Sequence, residues 1–158
     1  MPPSVYIETS IVSYLVARPS RDPTMAERQR QTRDWWENHR GEYQLFTSET
    51  TIEECRLGEA FMARRRVVAL AGIPIIPAYS GIAALAEALV ARGPLPVKAK
   101  TDAFHIAAAA MERIAYLLTW DCRHIANPRM YRRCETICHD YGAELPILCT
   151  PDILLRSG

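Results

Sequence analysis

Short apolar segments alternate with longer helical segments along the whole chain, and this order constrains the fold more than any other feature. Strands are predicted over residues 5–7, 43–46, 73–76, 116–119 and 145–149. Each is almost wholly apolar, as a strand must be when both of its faces are buried. Because helical segments separate the strands, the pattern predicts an α/β fold: a parallel sheet of about five strands with helices on both faces.

Capping residues predict where the helices begin and end. Thr24 and Glu27 are spaced as a capping box, which predicts a helix from Thr24 to about His39. Ser48 is a suitable N-cap for a helix that we expect to pass Gly58 and end near residue 72. The remaining helices are predicted over residues 11–16, 80–93, 100–114 and 127–142 and from residue 150 onward.

Length and charge limit the classes of function. The chain has 158 residues and no internal repeat or linker, so we expect one domain, residues 1–158. The net charge of +1 provides no strong field for nucleic acid, so a nucleic-acid partner must be argued from a site. Residues 67–86 carry no charge, but two glycines and two prolines divide them, and we expect no membrane span.

The cysteine pattern is that of a reduced protein. The five cysteines are loosely spaced, and no signal-peptide pattern precedes Val5, so we expect a cytoplasmic protein without a disulfide framework. Cys134 and Cys138, one helical turn apart and followed by His139, raise the alternative of a zinc site. No second ligand pair has a recognised spacing, so buried thiols are expected instead.

Acidic side chains recur where the predicted strands end. Glu8 follows the first strand and Asp121 follows the fourth. Asp102 begins the helix before the fourth strand, and Glu53 and Glu54 lie in the helix after the second. Ligands of parallel sheets bind beyond the carboxyl ends of strands, so four of these acids are expected to meet there. A divalent cation relieves their mutual repulsion, and oxygen ligands favour Mg²⁺ or Mn²⁺, which can activate water for phosphodiester hydrolysis.

Each acid also has a purely structural explanation, which the sequence leaves open. Asp102 suits the first turn of a helix, where the helix dipole favours negative charge. Asp121 fits a turn with Arg123, and Glu8 fits the cap of a helix near Ser10. Glu53 and Glu54 fit the solvated face of a helix. Glu8 is the least easily explained in this way, because it adjoins a strand that is expected to be buried.

Four motifs resemble those of the PIN-domain ribonucleases, and among them the VapC-type toxins of bacterial toxin–antitoxin pairs. "YIETS" at residues 6–10 is similar to the opening strand, acid and hydroxyl of that family. "TSETTIEECRLG" at 47–58 is similar to its second motif, where the acid four residues before the glycine is Glu54. "KTDAFHIAAAA" at 100–110 and "YLLTWDCRHIAN" at 116–127 are similar to the third and fourth, and the match spans nearly the whole chain.

The resemblance implies a three-layer α/β/α sandwich and metal-dependent cleavage of RNA, with Mg²⁺ or Mn²⁺ as the cofactor. It implies a homodimer and an antitoxin partner whose tail enters the active-site groove. The implied catalytic metal ligands are Glu8, Glu54, Asp102 and Asp121. The hydroxyls expected to orient these carboxylates or bound waters are those of Thr9, Ser10 and Thr119.

Four other residues near the motifs also have predicted roles. His105, one turn after Asp102, is expected to orient that acid or a water, or to be a structural histidine. Arg123 and His124 are candidates to contact the scissile phosphate. Trp120 is expected in the core rather than as a stacking surface for a base.

The first motif departs from the family because it carries glutamate, Glu8, where most relatives have aspartate. The chain therefore resembles a subgroup with glutamate in this motif, in which metal spacing or activity is expected to differ. A phosphatase of the haloacid-dehalogenase type is disfavoured, because it needs two aspartates two residues apart where this chain has Glu8 and Ser10. The remaining alternative is a PIN-like module that binds RNA or protein with little or no catalysis.

Overall fold

Five short parallel strands form the centre of the molecule. The structure is a computed structural model and describes residues 1–156. The strands are β1 (Ser4–Ile7), β2 (Gln44–Ser48), β3 (Ile75–Ile76), β4 (Tyr116–Leu118) and β5 (Ile147–Cys149). All neighbouring strands pair in parallel, in the order β3-β2-β1-β4-β5. The predicted α/β class is confirmed, and β1 lies in the middle of the sheet.

Helices cover both faces of this sheet and make it the middle layer of three. They are α1 (Thr9–Val16), α2 (Pro23–Asn38), α3 (Glu49–Cys55), α4 (Ala60–Ala69), α5 (Ser80–Ala91), α6 (Lys100–Met111), α7 (Pro128–Asp140) and α8 (Pro151–Arg156). Alternate side chains of β1 point to opposite faces of the sheet. Tyr6 packs with α5, α6 and α7 on one face, and Val5 and Ile7 pack with α1 and α2 on the other. The two-residue period of a strand thus supplies two separate cores.

Two helix predictions were wrong, both because of local capping. Asp22, not Thr24, caps α2, since its Oδ1 accepts from the N–H groups of Thr24 (2.8 Å) and Met25 (3.1 Å). The helix predicted from Ser48 to about residue 72 is two helices, α3 and α4. Gly58 has φ +85°, a left-handed conformation that interrupts a helix, and Glu59 caps α4. Ser48 and Asn127 cap α3 and α7 as predicted.

The parallel register brings the ends of β1 and β4 to one level. Ile7 is opposite Leu118, and the Glu8 N–H donates to the Leu118 carbonyl at 3.2 Å. The next residue of the β4 segment, Thr119, donates its N–H to the carbonyl of Cys149 in β5 at 3.0 Å. Glu8 and Thr119 therefore lie side by side at the carboxyl edge of the sheet.

The cysteines are free thiols, and four of the five are buried. Cys134 and Cys138 pack in the core beneath α7, whereas His139 is exposed, so the buried-thiol prediction holds for this pair. Among residues 1–156, no helix has the length and apolar character needed to cross a bilayer.

Candidate metal centre

Glu8 is both a helix cap and a buried acid at the sheet edge. It is 5% exposed, and its Oε1 accepts from the Ser10 N–H (3.1 Å), from the Ser10 hydroxyl and from the Thr119 hydroxyl (2.6 Å). Donors of this kind offset the cost of burying a carboxylate. The capping explanation is therefore correct, yet it uses only one of the two carboxylate oxygens.

Glu54 reaches the same edge from α3. Ser48 caps α3, and Thr51 in its first turn is buried against β1. Glu54 lies three residues after Thr51 and therefore faces inward with it, whereas Glu53 is exposed. Glu54 Oε1 accepts from the Thr9 hydroxyl at 2.5 Å and lies 2.5 Å from His105 Nε2. Burial raises the pKa of Glu54, but the contacts with His105 and Thr9 outweigh it, and the pKa is lowered overall.

His105 is a buried link between Glu54 and the core. Its Nδ1 lies 2.7 Å from the Tyr6 hydroxyl, which lies 2.6 Å from the Ser48 hydroxyl. Burial lowers the pKa of His105, but the Tyr6 oxygen and the carboxylates of Glu54 and Glu8 raise it, and it ends well above 6.5. The raised pKa favours the charged imidazolium, the form in which both ring nitrogens donate.

Asp121 and Asp102 form the other half of the site. Asp121 donates its N–H to the Thr119 hydroxyl at 2.9 Å, and its Oδ1 accepts from the N–H groups of Arg123 (3.0 Å) and His124 (2.9 Å). His124 Nδ1 lies 3.1 Å from Asp102 Oδ2. Burial, followed by repulsion from Asp121, raises the pKa of Asp102 from 3.8 to about 6. Crowded negative charge is the condition that a bound cation relieves.

The four predicted acids lie in two adjoining groups. One ligand atom each from Glu8, Glu54 and His105 lies within 4.8 Å of the others, and the same holds for Asp102, Asp121 and His124. Glu8 raises and His105 lowers the pKa of Asp102, so the two groups of residues are close enough to interact electrostatically. An open groove of about 480 Å³ borders Glu54 and is also lined by Leu57, Lys100 and Phe104.

Each of the four acids has one carboxylate oxygen held by hydrogen bonds and a second oxygen without a partner in residues 1–156. In the same range, the only buried side-chain polar atom without a partner is Trp35 Nε1, so the free oxygens reach solvent. Oxygen atoms from four carboxylates are ligands suited to Mg²⁺ or Mn²⁺. The residues present therefore fit a hard divalent cation.

The other predicted residues separate into those that touch the acids and those that do not. The hydroxyls of Thr9, Ser10 and Thr119 all donate to a carboxylate, as described above. His105 contacts Glu54 rather than the neighbouring Asp102. Arg123 contacts Asp121 only through its backbone, and its side chain is exposed. Trp120 is 8% exposed and lies in the core, as predicted.

Sequence reasoning missed the buried support of the site. Tyr6, Ser48 and Thr51 are 0–3% exposed and bond one another beneath His105. The available indication was a tyrosine in a strand predicted to be buried on both faces, since a buried phenol needs a partner. A cavity of about 1100 Å³, lined in part by Arg113, His139 and Glu144, lies near the amino ends of β4 and β5 and contains none of the predicted site residues.

Comparison with solved structures identifies a protein with the same fold. The structure is similar to a chain in the crystal structure of VapBC2 from Rickettsia felis bound to a DNA fragment from their promoter, with a TM-score of 0.53. The match covers 93% of this chain and 98% of that one at 13% sequence identity. No family model and no curated protein matches the sequence. The fold is therefore PIN-like α/β, as the parallel order of the sheet indicates.

Proposed function

We propose that the protein is a metal-dependent endoribonuclease and the toxin of a toxin–antitoxin pair. The observation that carries the proposal is the set of four carboxylates, each with one oxygen held and the other open to solvent. A merely structural cluster gains most by bonding both oxygens, so free oxygens at a crowded edge favour a role in binding. The structural similarity to VapBC2 of Rickettsia felis supports the toxin assignment.

In this proposal Glu8, Glu54, Asp102 and Asp121 hold Mg²⁺ or Mn²⁺. A bound ion supplies the positive charge that activates a water and stabilises the phosphate in hydrolysis. Ser10 and Thr119 keep the Glu8 carboxylate in place, and the Thr119 hydroxyl connects it to the backbone of Asp121. His105 pairs with Glu54, and its raised pKa favours the charged ring, which limits repulsion among the acids. The expected products carry a 5′ phosphate and a 3′ hydroxyl.

An antitoxin and a second copy of the chain are the proposed protein partners. Large apolar side chains on and just before α4 are exposed, which supports a protein-binding role for that surface: Leu57 (67%), Phe61 (58%) and Val68 (64%). Apolar patches of this kind on a monomer commonly mark interfaces. Size-exclusion chromatography with light scattering tests the homodimer directly.

Adjacent glutamates in α3 provide a matched test of the nuclease. Purified protein is incubated with labelled tRNA and rRNA fragments in Mg²⁺ or Mn²⁺, with EDTA as the metal-free control. Asp102→Asn and Glu54→Gln are expected to cleave RNA at least 100-fold more slowly. Removal of one group that stabilises the transition state commonly lowers the rate by about this factor. Glu53→Gln removes the same charge from the exposed neighbour and is expected to retain wild-type activity.

Two results would overturn the proposal. Cleavage that survives in both EDTA and Asp102→Asn would show that the acids are not the site. RNA that stays intact with a folded, metal-binding wild-type protein would favour the alternative, a binding module without turnover.

A further inference from the structure

A guanidinium group is fixed by two residues of the segments that adjoin the acids, without touching the acids themselves. Arg28 of α2 donates from Nη1 to the Tyr14 hydroxyl at 3.3 Å, and its Cζ lies 5.1 Å from the centre of the Trp120 ring. The ring is itself fixed, because Trp120 Nε1 donates to the Thr32 hydroxyl at 2.8 Å. The half-exposed arginine is therefore held from two sides.

Both supports of Arg28 belong to segments that carry the acids. Tyr14 lies one helical turn after Ser10 in α1, and Ser10 bonds Glu8. Trp120 immediately precedes Asp121, and its N–H donates to the Ser10 hydroxyl at 2.7 Å. Arg28 also lies close enough to Cys122, the residue after Asp121, for each group to influence the pKa of the other. Arg28 thus lies on the flank of the centre formed by α1 and the segment after β4.

The positive charge of Arg28 has no ion-pair partner in residues 1–156, although Arg30 on the same helix pairs with Glu27 at 2.7 Å. Asp152 interacts with Arg28 only at longer range, and its carboxylate is engaged by the Thr150 hydroxyl and by Arg156 at 3.7 Å. An arginine that is held in place but unpaired, against residues that adjoin Ser10 and Asp121 in the chain, has N–H groups available for an anion on that flank.

We propose that Arg28 binds a backbone phosphate of the RNA next to the one that is cleaved, and so holds the strand across the metal centre. This inference rests on the proposed nuclease function. The Trp120 ring supports one face of the guanidinium, and its edge N–H groups provide the paired donors that a phosphate accepts.

Three variants separate this role from simple packing. Arg28→Met keeps much of the aliphatic contact with Trp120 and removes the charge, and Arg28→Lys keeps the charge but not the forked donors. Arg33→Met is the matched control, because Arg33 is also half-exposed in α2 but lies about 140° around the helix from Arg28. Thermal unfolding of each variant establishes that it is folded.

Two measurements use a single-stranded RNA oligonucleotide that the wild-type protein cleaves. In cleavage, Arg28→Met is expected to raise KM about tenfold, the size expected for a hydrogen bond to a charged group, with kcat nearly unchanged. In binding without metal, the slope of log affinity against log salt is expected to decrease by about 0.7, the value for one phosphate contact on a single strand. Arg28→Lys is expected to retain the wild-type salt slope while raising KM.

An Arg28→Met variant that matches Arg33→Met in both KM and salt slope would overturn the inference. A raised KM with an unchanged salt slope would also overturn it, because packing alone would then explain the loss. If Arg28→Met does not fold, the test falls to Arg28→Lys, and a wild-type KM in that variant would overturn the inference. Failure of the nuclease proposal is distinct, because the wild-type protein would then cleave no RNA at all.

Discussion

Replacing Thr119 by valine tests whether one buried hydroxyl holds the two halves of the candidate metal centre together. Thr119 is 0% exposed, and its hydroxyl donates to Glu8 at 2.6 Å while accepting the Asp121 N–H at 2.9 Å. Thr119→Val keeps the shape of the side chain and removes both bonds. Glu8 retains its two donors from Ser10, but the Asp121 N–H loses its side-chain acceptor.

The expected loss is about 3 kcal/mol of the free energy of unfolding. One lost bond is to a charged group, worth about 1.5–3 kcal/mol, and the other leaves a backbone donor unpaired, at about 1 kcal/mol or more. For a chain of this size, such a loss lowers Tm by about 6–12 °C. Urea unfolding at pH 7 in EDTA measures it, because EDTA removes any stabilisation by bound metal.

Thr119→Ser is the control, since it keeps the hydroxyl and loses only a methyl group. Its expected cost is about 1 kcal/mol. If Thr119→Val is no less stable than Thr119→Ser, the hydroxyl does not support the site, and the argument from its two hydrogen bonds is refuted.

Two further predictions follow from burial and charge. In EDTA, the wild-type protein is expected to lose stability relative to Asp102→Asn as pH rises from about 4 to 6, because burial and Asp121 raise the pKa of Asp102 from 3.8 to about 6 and the folded state then binds that proton more tightly than the unfolded state. This relative loss is at most about 3 kcal/mol, and urea unfolding of both proteins across the range measures it. Cys122 alone is expected to react with Ellman's reagent in the folded protein, because the other four cysteines are buried and burial raises the pKa of Cys134, for example, to about 11. One thiol should titrate before denaturation and five after it, and rapid reaction of more than one in the folded state would contradict the buried positions.

The sequence was most informative where local and tertiary requirements agree. Buried parallel strands must be short and apolar, so all five could be located, although β3, β4 and β5 are shorter than predicted. Ser48 and Asn127 cap helices that begin directly after a strand or a turn. The α2 cap was assigned to the wrong residue although the sequence held the deciding signal: Pro23 occupies the first turn of α2, as Pro128 does in α7, and so favours Asp22 as the cap.

Part of the candidate metal centre could likewise be predicted from the sequence, and part could not. The resemblance to the second PIN motif, in which the acid lies four residues before the glycine, selected Glu54 rather than Glu53, and the structure places Glu54 inward and Glu53 outward. The partner of His105 could not be predicted, because its ring bonds Glu54, which is 51 positions away in the chain. Contacts between residues so far apart in the chain depend on how α3 and α6 pack. The local sequence around each residue does not determine that packing.

The sequence by itself determined the class of fold and the edge at which the acids lie, because hydrophobic periodicity and the direction of parallel strands are local properties. Only the tertiary structure decided which oxygen of each acid is held and which is free. It also decided that Arg28 lies against Trp120 without an ion pair. These are matters of side-chain geometry between segments far apart in the chain, and packing of the whole core sets them.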